Sequence, residues 1–122
     1  IPKIFANYRR DGIRTVLMTP SFTLIANRIE AGKFALRNNL ALIGYRGDWA
    51  EAGALLTYGT DGVEALKRSA GLANRILKGS RPADTPVEQI TKLELVVNMS
   101  SAKTLGVTIP RPVLARANRV LE

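Results

Sequence analysis

Short runs rich in β-branched and other apolar residues alternate with helix-length amphipathic stretches along nearly the whole chain. Strands linked through helices close most simply as right-handed crossovers. The pattern therefore predicts an α/β unit, a mostly parallel sheet with helices on both faces. Residues 3–11 place Ile4, Phe5 and Tyr8 at helical spacing and stop at Asp11-Gly12. Ile13 to Thr19 reads as a strand ending at Pro20, which has no amide proton for a ladder. A helix capped by Ser21 or Thr23 is expected to run to about Asn38, with Ile25, Ile29, Gly32 and Leu36 inward. Leu40–Gly44 predicts a second strand, Trp49–Ala52 a helical turn, and Ala54–Tyr58 a third strand.

The clearest helix opens at Asp61. Asp61 and Glu64 fit a capping box, in which each side chain accepts from a backbone amide of the other. Val63, Leu66, Ala70, Ala73 and Leu77 then form one apolar stripe, and Gly79 suits a left-handed cap. A surface loop from Ser80 to Pro86 and an extended stretch from Val87 to Ile90 lead to a fourth strand at Leu93–Asn98. Ser100 or Ser101 would cap a short helix ending at Gly106. Pro112 would open a last helix burying Val113, Leu114, Ala117, Val120 and Leu121.

Composition narrows the chemistry. The chain has no cysteine and no histidine, which removes disulfides, thiolate zinc sites, cysteine nucleophiles and imidazole acid–base work. No apolar run approaches the roughly 20 residues of a membrane helix. The first residue is Ile1 and not Met, so a processed or truncated product is expected, any targeting segment lying on the lost part. The net charge of +8 raises nucleic acid or an anionic surface as partners. Arg9, Arg10 and Arg14 cluster, but the other cations are spread, and no basic run exists. A solvated surface is the expected reading and no nucleic-acid partner is expected; a basic nucleic-acid-binding module is the rival that charge alone motivates.

Sheets of this kind bind ligands beyond the C-terminal ends of their strands. That rule selects the loops Thr19-Pro20-Ser21-Phe22, Tyr45-Arg46-Gly47-Asp48-Trp49 and Tyr58-Gly59-Thr60-Asp61. They hold four of the seven aromatic residues, Phe22, Tyr45, Trp49 and Tyr58, together with Ser21 and Arg46. Aromatic walls with a few polar anchors suit a small-molecule site, and an arginine can grip a carboxylate through two parallel hydrogen bonds. Ser21, Phe22, Tyr45, Arg46, Trp49 and Tyr58 are therefore the candidate lining, with Phe22, Tyr45 and Trp49 packing on the ligand. No catalytic residue, metal ligand or cofactor is expected. Ser21 has no histidine to activate it, Asp48 and Glu51 suit a helix dipole, and no phosphate loop or dinucleotide fingerprint is present. An enzyme or regulatory domain of the flavodoxin-like class is the other rival.

Several stretches together resemble the C-terminal end of bacterial ABC transporter substrate-binding proteins, whose members include receptors for aromatic amino acids. They are residues 51–59, Arg75-Ile76-Leu77-Lys78-Gly79 with Arg81-Pro82-Ala83-Asp84, Pro86-Val87-Glu88-Gln89, residues 91–98, residues 102–110, and Leu114-Ala115-Arg116-Ala117. Val16 to Phe22 looks like the family's strand and following ligand loop, with Thr19 where the family often has an acidic residue. The resemblance implies a type I periplasmic binding protein lobe with its first lobe missing. It implies that residues 1–122 are the C-terminal lobe region and that the 61–79 helix belongs with the absent first lobe. It further implies a small amino-acid-like, aromatic or anionic solute, delivery to an ABC permease in the membrane, and a periplasmic location. Self-association through the surface left by the missing lobe is a further expectation.

Overall fold

The computed structural model describes residues 2–122. Five strands, β1 (Thr15–Leu17), β2 (Ala41–Gly44), β3 (Leu56–Thr60), β4 (Leu93–Asn98) and β5 (Arg119–Leu121), form one sheet in the order of the sequence. The pairs β1·β2, β2·β3 and β4·β5 are parallel, and β3·β4 is antiparallel, with Leu56 opposite Val97 and Thr60 opposite Leu93. The architecture is thus the mostly parallel α/β sheet that the sequence predicts.

Helices α1 (Pro2–Arg10), α2 (Phe22–Ala26), α3 (Arg28–Arg37) and α4 (Gly47–Glu51) serve one face of the sheet. There Phe5, Met18, Ala31, Ala35, Leu40, Leu42, Trp49 and Ala54 make one core cluster. Ala41, Leu55, Val97, Ala102 and Ile109 make the second cluster, supported by α6 (Met99–Leu105) and α7 (Arg111–Arg116). The alternation along β2 explains the split. Successive side chains of a strand point to opposite faces, so Ala41 joins one cluster and Leu42 the other. The remaining helix, α5 (Gly62–Leu77), has no buried residue.

Four local expectations need correction. The helix expected from Ser21 to Asn38 is two helices, because Asn27 turns its side chain back to donate to the Thr23 carbonyl at 2.8 Å and breaks the run. Its buried residues are Ala31, Gly32 and Ala35, while Ile29 is exposed. The small residues win because the backbones nearly touch: a Cβ on Gly32 would lie 1.7 Å from the Ala52 carbonyl oxygen. The capping box at Asp61 is half made. Asp61 accepts from the amides of Val63 and Glu64, but the Glu64 carboxylate is taken by Arg68 at 3.0 Å. Asn98, and neither Ser100 nor Ser101, caps α6. Finally, Val120 and Leu121 leave the last helix and pair with β4 as β5, since Asn118 anchors there. Its amide donates to the Leu95 carbonyl at 2.8 Å, and its side-chain oxygen accepts from the Leu95 amide at 2.8 Å.

Candidate functional site

The parallel strands β1, β2 and β3 bring their C-terminal ends to one edge of the sheet, and antiparallel β4 begins there. A cleft of 550 Å³ lies at this edge, within the size range of small-molecule sites. Arg46 lines it from the turn after β2, Gly47 and Asp48 from the start of α4, Thr60 from the end of β3, Asp61 from the turn that follows, Val63 and Leu66 from α5, Glu94 from β4 and Arg119 from β5.

Charge dominates the rim. The Arg46 guanidinium meets Asp48 through two hydrogen bonds, Nε to Oδ1 at 3.1 Å and Nη2 to Oδ2. Arg28 of α3 approaches the same carboxylate at 3.6 Å. The hydrogen bond to Asp48 raises the Arg46 pKa further above its ordinary value. Arg119 pairs with Glu51 at 2.9 Å and with Glu94 at 3.8 Å, and the bond to Glu51 raises its pKa likewise. Lys92 stands 3.6 Å from Asp61. The Asp61 carboxyl is held below its usual range, first by the Glu64 amide and then by the Val63 amide and Lys92. The edge therefore offers alternating guanidinium and carboxylate groups, a pattern matched by a ligand carrying both charges.

Two glycines set the depth of this rim. A Cβ on Gly59 would lie 2.0 Å from the Tyr45 carbonyl oxygen, so β3 can pass under the β2 turn only without a side chain there. A Cβ on Gly47 would lie 3.0 Å from the Glu94 carboxylate and 3.3 Å from the Arg119 guanidinium.

The six candidate lining residues are not all brought together. Arg46 is on the cleft wall and its side chain is 45% exposed. Tyr45 is half-buried and leans on Trp49, the ring centroids 6.4 Å apart, while its hydroxyl is enclosed. Trp49 is fully buried, so it supports the turn from beneath and presents no face at the surface. Ser21 precedes α2 as a half-buried residue, and Phe22 is 93% exposed. Tyr58 lines a different groove with Leu93, Leu95, Val113, Arg116 and Asn118. Period-two alternation explains its departure: Thr57 is buried against Gly44, and the next side chain must emerge on the other face.

Glu94 and Arg119 are cleft residues outside the loops that sequence reasoning selected, and Asp61, inside one of them, was not among the six candidates. Asp61 was legible as a cap and as a member of the loop after the third strand. Glu94 and Arg119 carry no local signal, because only the β3·β4 and β4·β5 pairings bring them to this edge. Among the described residues, no group of acidic side chains is arranged to hold a metal ion, and no helix is long and apolar enough to cross a membrane.

The sequence model of a family described as ABC transporter substrate binding protein matches residues 11–121. No curated protein sequence matches the chain. Among solved structures, an ABC domain from Streptococcus pneumonia in complex with L-Trp superposes with a TM-score of 0.89 at 22% identity, covering 99% of this chain and 41% of that one. A conserved domain protein from Vibrio cholerae gives 0.84 at 24% identity, over 98% of this chain and 40% of the other. A ligand-free, open substrate binding protein with adhesive properties from Clostridium difficile gives 0.66 at 18% identity, over 99% and 41%. These likenesses establish a shared fold, and the chain spans about two fifths of the length of each structure it matches.

Proposed function

The chain belongs to the ABC transporter substrate binding protein family, and from that premise we propose that it forms one wall of a receptor that captures a small solute outside the cytoplasm and hands it to an ABC permease without chemical change. The solute sits at the edge where β2 and β3 end. The observation that carries this reading is the cleft whose rim pairs Arg46 with Asp48 and Arg119 with Glu51 and Glu94. Rim pairs of this kind exchange partners at little cost, because exposed ion pairs are worth only about 0–1 kcal/mol. An amino-acid zwitterion replaces both halves of such a pair at once. Tyr45 supplies an apolar flank beside Arg46, and the L-Trp bound by the Streptococcus protein fits the same class of ligand.

The opposite wall of the site comes from a first lobe, and α5 belongs with that lobe. The support is the exposure of Val63, Leu66 and Leu77, at 63%, 73% and 86%, on a helix whose apolar stripe has no partner here.

Calorimetric titration of the full-length protein with amino acids and small aromatic acids tests the reading. Arg46→Ala and Tyr45→Ala are expected to weaken binding at least tenfold; Arg46→Ala should change stability little, whereas Tyr45→Ala also removes a ring packed on the core and should destabilise the chain. Unchanged affinity in both variants refutes the site; no response to any solute of these classes refutes the solute class.

A further inference from the structure

The opposite edge of the sheet, where β1 and β2 begin, carries a second groove of 620 Å³ with a different electrostatic character. Arg9 reaches it from the last turn of α1, Arg14 from the segment before β1, and Lys103 from the last turn of α6. Thr15, Asn39 and Thr104 add polar groups, and among the described residues no carboxylate lines it. Among the described residues none of the three cations forms a salt bridge. At the cleft edge, by contrast, Arg46 and Arg119 each have an acidic partner.

Cations near helix ends ordinarily serve the carbonyls there. At this edge the backbone already does that work. Asp11, Gly12 and Ile13 donate their amides to Asn7, Arg9 and Tyr8 at the end of α1. Gly106, in the left-handed conformation, and Val107 donate to Lys103 and Ala102 at the end of α6. The side chains of Arg9, Arg14 and Lys103 are thus left without a task inside the fold. Among the described residues, Arg9 Nη1 has no protein acceptor, so no internal hydrogen bond occupies that end of the guanidinium.

We propose that this groove binds a phosphate group, with Arg9, Arg14 and Lys103 as its cationic anchors. A phosphate oxyanion accepts from the planar fork of an arginine through two parallel bonds and takes Lys103 as a point charge. The group is carried either by a soluble phosphate or by a phospholipid headgroup, and the chemistry of recognition is the same. This site lies at the far edge of the sheet from the solute cleft and is independent of it.

The test is an amide-shift NMR titration of the full-length protein with inorganic phosphate, at ionic strength held constant with chloride. The expected result is a saturable shift confined to residues 9–15, 39–41 and 103–107, and at least tenfold weaker binding in the Arg14→Gln/Lys103→Gln double variant. Both positions are exposed, so the variant should melt like the parent. Absence of a saturable shift, the same shift with chloride alone, or full binding by the double variant overturns the proposal. Cosedimentation with phosphatidylglycerol vesicles, against phosphatidylcholine vesicles, assigns the source. Capture that inorganic phosphate reverses identifies the headgroup, and phosphate binding without capture identifies a soluble phosphate.

Discussion

Asn98 donates its side-chain amide to the carbonyl of Ala50 at 2.8 Å, although the two residues are 48 positions apart. Its side-chain oxygen accepts from the Ser101 amide at 2.8 Å, and the Ser101 hydroxyl donates to the Gly53 carbonyl at 3.1 Å. The end of β4 is thereby fastened to α4 and to the turn that leads into β3, at the edge of the sheet opposite the cleft. Asn98→Ala removes two buried bonds and leaves their partners unmet, so a loss of about 2–3 kcal/mol is expected in urea unfolding. Ser101→Ala, which removes one, should cost about 1 kcal/mol.

Glycine substitutions should divide by location. Gly59→Ala drives a methyl group into the Tyr45 carbonyl, which is backbone and cannot swing aside, so a loss of about 2–3 kcal/mol is expected. Gly71 lies inside α5 with open space around it, and Gly71→Ala should gain about 0.5–1 kcal/mol through helix propensity. Thermal melts of the two variants, moving in opposite directions, check this.

Acid should loosen the start of α5 through one group. The Asp61 pKa is lowered from 3.8 because its carboxylate caps the amides of Glu64 and Val63. A depressed pKa gives stability that is fully present above the unfolded value and is lost as pH falls through the folded one. Asp61→Asn retains a capping oxygen without the titration. Its stability should therefore fall less than the parent's between pH 5 and the acid limit, as measured by chemical denaturation across that range.

Polar substitution on α5 separates the lobe from its surroundings. In this chain by itself, Leu66→Gln and Leu77→Gln touch exposed positions and should change stability by no more than about 0.5 kcal/mol. In the full-length protein the same changes should lower the melting temperature by several degrees, if α5 packs on the first lobe. Equal, small effects in both backgrounds would detach α5 from that lobe.

Much of this architecture was readable from residue order. Strand-forming runs at 40–44 and 93–98, the α5 cap at Asp61 and the glycine stop at Gly106 are all local signals, and each has its counterpart in the fold. What local pattern could not supply was long-range. The close approach of Gly32 to Ala52 replaces an isoleucine stripe by alanines, and the Asn118 anchor converts the end of a helix into β5. The candidate site shows the same division. Arg46 was legible because it follows a parallel strand, whereas Arg119 reaches the cleft only after β4 has reversed direction. Trp49 looked like a ligand platform by its position in the loop, but the helical turn Gly47–Glu51 rotates it inward.

The agreement between strand order and sequence order has a kinetic consequence. β2 and β3 meet through residues 45–55, the shortest connection in the sheet, while β4 can join only after the whole stretch from Asp61 to Lys92 has been drawn back. Closure entropy grows with loop length, and local pairings form first. The β2–β3 pair should thus already be assembled at the folding barrier, with β4 added late. A truncating change at buried Val97 will then accelerate unfolding far more than it slows folding, and the grip of β4 on β3 sets the lifetime of the native state.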